Sequence, residues 1–305
     1  MRIRSILACV GAAPLLIAAA HPLRLQPSSP WDVDYAENSC RLIRVFGTGN
    51  SQIKLAFESD APDEMDMLAF GKPLETYDEQ VPAKFLPVGS RTFDGRVAAT
   101  VTKGDPAILW SNIPMLPAEA LAKIEQRQDE RKRNPGVRPA PVPLAEQAEW
   151  RAQRQQFATA VTELEIDSRR NRPVVLETGS FGEAMAAFEQ CGRDSLKDWG
   201  VDPAVEAKIV RPVWAVNPTE WLFESDYPRD MLMRGKESEV SVRLLIDAAG
   251  KVSRCTSLSH FAEDEFNRIT CATITKRARF EPAELADGTK VPSYYTKRVV
   301  FRIAH

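Results

Sequence analysis

Between residues 239 and 246 the side chains alternate. Val240, Val242, Leu244 and Ile246 fall on one side, and Glu239, Ser241, Arg243 and Leu245 on the other. A period of two sends successive side chains to opposite faces, so this run predicts a half-buried β-strand. Asp247, Ala248, Ala249 and Gly250 predict a short hairpin connection whose glycine takes positive φ, with a return strand over residues 251–259. Two strands alone are marginal in water and need a cover. Residues 263–278 supply one, a helix with an apolar stripe of Phe266, Ile269, Thr273 and Ile274. Glu263 and Asp264 favour its N-terminus through the helix dipole. An Arg279-Phe280-Glu281-Pro282-Ala283 segment and an Asp287-Gly288 turn lead to a last strand over residues 294–303. Tyr295, Lys297, Val299 and Phe301 share one of its faces.

That order, with Tyr227-Pro228 ahead of it and Gly250-Lys251-Val252 at the hairpin, resembles the C-terminal domain of the TonB family, energy transducers of the Gram-negative envelope. The resemblance covers residues 204–305 and leaves the rest of the chain unexplained. It implies an antiparallel three-stranded sheet packed against helices, and a protein-binding module rather than an enzyme. A last strand at the sheet edge offers unpaired backbone groups to which an extended peptide can add. By resemblance, Tyr227 and Pro228 lie near such a peptide, and Lys297, Arg298, Val299, Val300, Phe301 and Arg302 supply the edge. The competing reading has Tyr227 and Pro228 capping a short helix and filling the core. The implied partner is an envelope protein or an extended receptor peptide, in TonB-related transmembrane transport, with a homodimer through the last strand as a further option. The alternative is a non-catalytic envelope scaffold whose main partner binds the N-terminal region.

Energy transduction itself is not expected. It needs a retained inner-membrane helix and a long proline-rich spacer. The segment 135–143, at about 3.1 Å per residue, is too short to cross a periplasm. Arg2 and Arg4, an apolar run over residues 6–20 and the Ala18-Ala19-Ala20 ending predict a cleavable signal peptide over residues 1–20, hence a periplasmic protein. A retained inner-membrane anchor is the alternative. Once Cys9 is removed, Cys40, Cys191, Cys255 and Cys271 remain, an even number that suits disulfides in an exported protein. Cys255–Cys271 and Cys40–Cys191 are the favoured pairs. No Cys-x-x-Cys occurs and the three histidines are scattered, so neither metal nor cofactor is expected.

Residues 21–203 predict a strand-rich domain with a charged helical insertion near residues 117–157, making the whole chain α+β. Strands are expected at 42–46, 53–57, 96–101, 161–166 and 173–176. Turns are expected at Gly47-Thr48-Gly49-Asn50, Pro62-Asp63 and Asp94-Gly95. Helices at 118–133 and from 144 to about 157 read as surface elements joined by a mobile proline-containing loop. Ser180 and Glu183 predict a capping box. It opens a helix that turns Ala184, Phe188 and Cys191 toward the sheet carrying Cys40, with Met185 and Leu196 beside them, and ends at Trp199-Gly200. Trp31, Trp110, Trp199, Trp214 and Trp221 are expected in core or interdomain packing. His260, with Ser259 and Asp264 nearby, is read as a loop residue, because adjacency is not triad geometry and no Gly-x-Ser-x-Gly turn is present. A net charge of −2 gives no electrostatic reason to expect nucleic acid.

Overall fold

The computed structural model describes residues 21–303 apart from Glu37, Asp63, 89–90, 99–105, Pro114, 135–136, 168–171 and 259–261. The expected signal segment, Ser259 and His260 lie outside the described residues. The N-terminal part contains β1 (Leu23–Leu25), β2 (Asp32–Tyr35), β3 (Cys40–Phe46), β4 (Ile53–Ser59), β5 (Asp66–Phe70), β6 (Val81–Leu86), β7 (Phe93–Ala98) and β8 (Ala107–Trp110). Next come α1 (Ala118–Arg133), α2 (Leu144–Ala160), β9 (Glu163–Ile166), β10 (Val174–Leu176) and α3 (Gly182–Trp199). The strands form one sheet in the order β1-β10-β9-β6-β7-β8-β5-β4-β3-β2, antiparallel except for β1 with β10. Just past β1 the chain meets the end of β3. Ser28 N donates to Val45 O at 2.8 Å and Gly47 N to Gln26 O at 2.8 Å. This closes the sheet into a barrel.

Aromatic rings fill the interior. Phe181 stacks on Phe57 at 5.7 Å, Trp31 leans on Phe181 at 5.5 Å, and Phe85 meets Phe157 edge-on at 5.8 Å. Helix α3 buries Met185, Phe188 and Cys191 in this core, and Cys191 is bonded to Cys40 with Cα atoms 6.0 Å apart. Two local expectations are corrected. Asp94-Gly95 is not a turn but lies within β7, because a Cβ on Gly95 would collide with the Trp110 indole, which donates to Val81 O at 2.8 Å. Nor does Ser180 cap α3. Phe181 is the cap residue, without a side-chain bond, and its burial in the barrel sets the entry of the helix.

Residues 137–143 of the loop between α1 and α2, expected to be mobile, are docked. Arg138 Nη2 donates to Pro282 O at 2.6 Å and Pro212 O at 3.0 Å, while Gln147 Nε2 donates to Ile209 O at 2.8 Å. Backbone polar groups of the C-terminal part satisfy this segment, which the charged composition of the helices conceals.

The C-terminal part comprises α4 (Pro203–Glu206), β11 (Ile209–Arg211), β12 (Trp214–Val216), α5 (Arg229–Met233), β13 (Ser238–Ile246), β14 (Val252–Ser257), α6 (Asp264–Arg277), β15 (Arg279–Glu281), β16 (Ala283–Leu285), β17 (Lys290–Val291) and β18 (Ser293–Phe301). Its main sheet is antiparallel, ordered β14-β13-β18. Val240, Val242, Leu244 and Ile246 pack with Phe266 and Ile274 of α6, and Cys255 of β14 is bonded to Cys271 of α6. Thr270 joins the buried stripe of α6, which the apolar count alone missed.

Gly250 makes the hairpin work. Its φ is 77°, and a Cβ there would land on the Phe280 carbonyl. Its own carbonyl accepts the Phe280 amide at 3.1 Å, tying the hairpin to β15. Gly250→Ala is therefore expected to cost about 2 kcal/mol through left-handed strain and loss of this close approach. Chemical denaturation of the variant checks this, and an unchanged midpoint would refute it.

Candidate functional edge of the C-terminal sheet

The central strand β13 is paired along its full length with β18, from Ser238 opposite Phe301 to Ile246 opposite Ser293. Tyr, Thr, Val and Phe dominate β18, residues that suit a pleated, half-buried surface. Its two faces have different neighbours. Tyr295, Val299 and Phe301 join the core under α6. Tyr294, Thr296 and Arg298 turn toward the barrel: the Tyr294 hydroxyl donates to Pro62 O at 3.2 Å, Thr296 to Glu64 at 2.6 Å, and Arg298 to Asp66 at 3.0 Å. Neighbours thus meet both faces of β18 over residues 294–298, while Val300 on the barrel-side face is exposed.

The barrel-side face holds an interdomain lock. Arg243, in the middle of β13, is 3% exposed. Its guanidinium carbon sits over the Trp199 ring, 3.6 Å from the centroid, and its Nη1 donates to Asn38 O at 3.0 Å and Asp60 O at 2.9 Å. Burial holds its guanidinium down to about 10, with Asp60 and Tyr294 opposing. The Asp60 carboxyl is pushed up to about 7, by burial first and then by Glu58 and Asp66, with Arg243 opposing. Around this pair Ala61, Leu196, Trp199, Val201 and Leu245 form a small apolar cluster of their own.

The remaining feature is the outer edge of β18. Among the described residues no strand pairs with it, and no backbone hydrogen bond reaches it from outside its own sheet. Toward Tyr295 the edge runs beside α1, whose Arg131 is close enough to act on the phenol; burial pushes that phenol up, with Arg131 opposing. Toward the other end, Arg298 and Val300 are exposed. Of the residues expected from the sequence at the edge, Lys297, Arg298, Val299, Val300 and Phe301 belong to β18 and Arg302 follows it. Val299 and Phe301 face the core, Arg298 is committed to the barrel, and Arg302 pairs with Glu237 at 3.0 Å. Tyr227 packs edge-on against Phe301 at 5.5 Å and Phe266 at 5.8 Å, and its hydroxyl donates to Lys236 O at 2.5 Å. Pro228 is buried and caps α5. Tyr227 therefore packs against the core and stands at the Phe301 end of the edge, while Pro228 is buried at the start of α5.

Sequence reasoning missed Arg243, Asp60 and Asn38. Leu245, an apolar residue on the polar side of β13, was the available sign that this face is covered. Two open clefts lie elsewhere. One of about 660 Å³ runs between α1, residues 137–143 and the start of α2, where Arg127 pairs with Glu146 at 2.8 Å. The other, of about 480 Å³, lies on the barrel beside Arg44 and Thr178. Arg44 is already committed there to the carbonyls of Ser29 and Thr178. Among the described residues no group of three His, Cys, Asp or Glu could hold a metal ion, and no helix is long and apolar enough to cross a membrane.

No curated protein matches the chain. Residues 224–303, which run from the turn before α5 to just past β18, match the family described as the Gram-negative bacterial TonB protein C-terminal.

Proposed function

We propose that this chain is an exported cell-envelope protein whose C-terminal module binds, rather than transforms, its partner. It captures an extended segment of an envelope protein by adding that segment to the outer edge of β18, in TonB-related transmembrane transport. The observation that carries this reading is the backbone edge of a nine-residue strand, unpaired among the described residues and within the segment that matches the TonB C-terminal family. An added strand gains main-chain hydrogen bonds without requiring a deep pocket. A second reading is a non-catalytic scaffold whose barrel binds the main partner. Its support is the Arg243 lock, which makes barrel and module one assembly.

The test uses the full chain, since excising the module would bare Arg243, Leu245 and Tyr294. A photo-crosslinking amino acid is placed at Val300, and separately at Tyr77, an exposed barrel position. Each protein is irradiated with a mixture of N-terminal peptides from outer-membrane receptors. Saturable labelling from position 300, with little from position 77, is expected. Equal labelling from both positions, or none from 300, would overturn strand addition and favour the scaffold.

A further inference from the structure

Three cations stand in and just after β18, and two of them are neutralised within the chain. Arg298 is paired with Asp66 at 3.0 Å and Glu239 at 3.3 Å, and Arg302 with Glu237 at 3.0 Å. Lys297 is different. Among the described residues it has neither a carboxylate nor a hydrogen-bond partner, although it is half-buried; burial alone holds its ammonium below the usual lysine range. It shares the face of Tyr295 and Val299, opposite Val242, and its charge is left without compensation among the described residues. The sheet register fixes the neighbouring row. Ser257 of β14 lies opposite Val242 of β13, and Val242 lies opposite Lys297, so the next place in that row belongs to a fourth strand.

We propose that Lys297 is a specificity-determining residue that selects an added strand carrying an Asp or Glu carboxylate opposite it. The proposal rests on the strand-addition reading. A residue directly across an antiparallel pair comes close enough for charges to couple, and opposite charges there are favourable while like charges are not. The flanking rows of the same face are set by Tyr295 and Val299, so the matching segment reads apolar, any, acidic, any, apolar. The other face of the strand carries no comparable demand, because Thr296 and Arg298 already hold Glu64 and Asp66. Lys297 also works against self-pairing. Two copies of β18 joined antiparallel about this residue would set one ammonium against the other, as charged residues commonly do on exposed edges.

The experiment selects a random nonapeptide display library on the full chain and maps selected peptides by the crosslinker at position 300. Wild type is expected to enrich Asp or Glu at one position, with apolar residues two places to either side. The preference for an acid over its amide at that position should be roughly tenfold. Lys297→Met keeps the aliphatic stem and should abolish the preference while retaining binding; Lys297→Glu should turn it toward Lys and Arg. Peptides that crosslink at β18 with no acidic preference, or with one that survives in Lys297→Met, would overturn the role of Lys297 and leave strand addition standing. Failure to select any peptide that crosslinks there would overturn both.

Discussion

Replacing Cys40 and Cys191 together by alanine is expected to lower stability by at least about 3 kcal/mol, more than the same change at Cys255 and Cys271. The two bridges close loops of very different length, with sequence separations of 151 and 16 residues. In the chain-entropy description the longer loop restrains the unfolded chain more, by roughly 5 against roughly 3 kcal/mol. Position adds to the difference. Cys191 lies on α3 two turns before Trp199, and Cys40 follows Asn38 by two residues. The bridge therefore fastens together the two elements that form the Arg243 socket, the Trp199 ring and the Asn38 carbonyl. Equilibrium denaturation of the two double variants, followed separately by tryptophan fluorescence and far-UV circular dichroism, makes the comparison. Equal losses would show that loop length and socket geometry do not govern the effect.

The sequence made some of this legible and hid the rest for identifiable reasons. Alternation from Val240 to Ile246, the Gly250 turn and the Phe266–Ile274 stripe are local patterns, and each produced the element expected of it. So did α1, whose bounds follow from helix-forming residues closed off at Asn134. Both cysteine pairs came from compartment and position, and both are bonded. The failures involve partners distant in sequence. Asp94-Gly95 has turn chemistry, yet Gly95 is a strand glycine because Trp110 needs its space. Residues 137–143 look like a solvated linker until the carbonyls of Pro212 and Pro282 are brought to Arg138. Arg243 falls on the polar side of its strand, where alternation assigns it to water. Its burial depends on Asn38 and Asp60, 205 and 183 residues away. The unpaired edge of β18 was legible only as a consequence of strand order, which family resemblance supplied and periodicity did not.

Removing the guanidinium at that seam should be the most damaging single change on the barrel-side face. Arg243→Met preserves length and apolar stem but leaves the carbonyls of Asn38 and Asp60 without their donor. It also removes the cation from the Trp199 face. Buried acceptors left unmet cost about 1–3 kcal/mol each, so a loss of about 3 kcal/mol is expected, with easier separation of barrel and module. Arg243→Lys should recover only part of this, since a compact ammonium keeps charge but cannot cover the ring while reaching two carbonyls. Hydrogen exchange at residues 238–246 and 293–301 checks the second half of the expectation: protection should fall in Arg243→Met while the α6 side stays protected.

Asp60 makes the same seam depend on pH. Its folded value near 7 lies above the ordinary 3.8, so the folded chain holds this proton more tightly than the unfolded chain. The resulting stability is complete below the ordinary value and is lost as pH rises through about 7. Asp60→Asn cannot ionise and escapes that loss. The variant should therefore gain on wild type above neutrality, by about 2 kcal/mol once solvent access to this partly buried group is allowed for, and lose the advantage in acid. Paired denaturation curves across that range decide it. A difference that stays constant with pH would mean that Asp60 titrates alike in the folded and unfolded chains, and one that changes in the opposite sense, with wild type losing ground in acid, would mean that Arg243 holds Asp60 ionised.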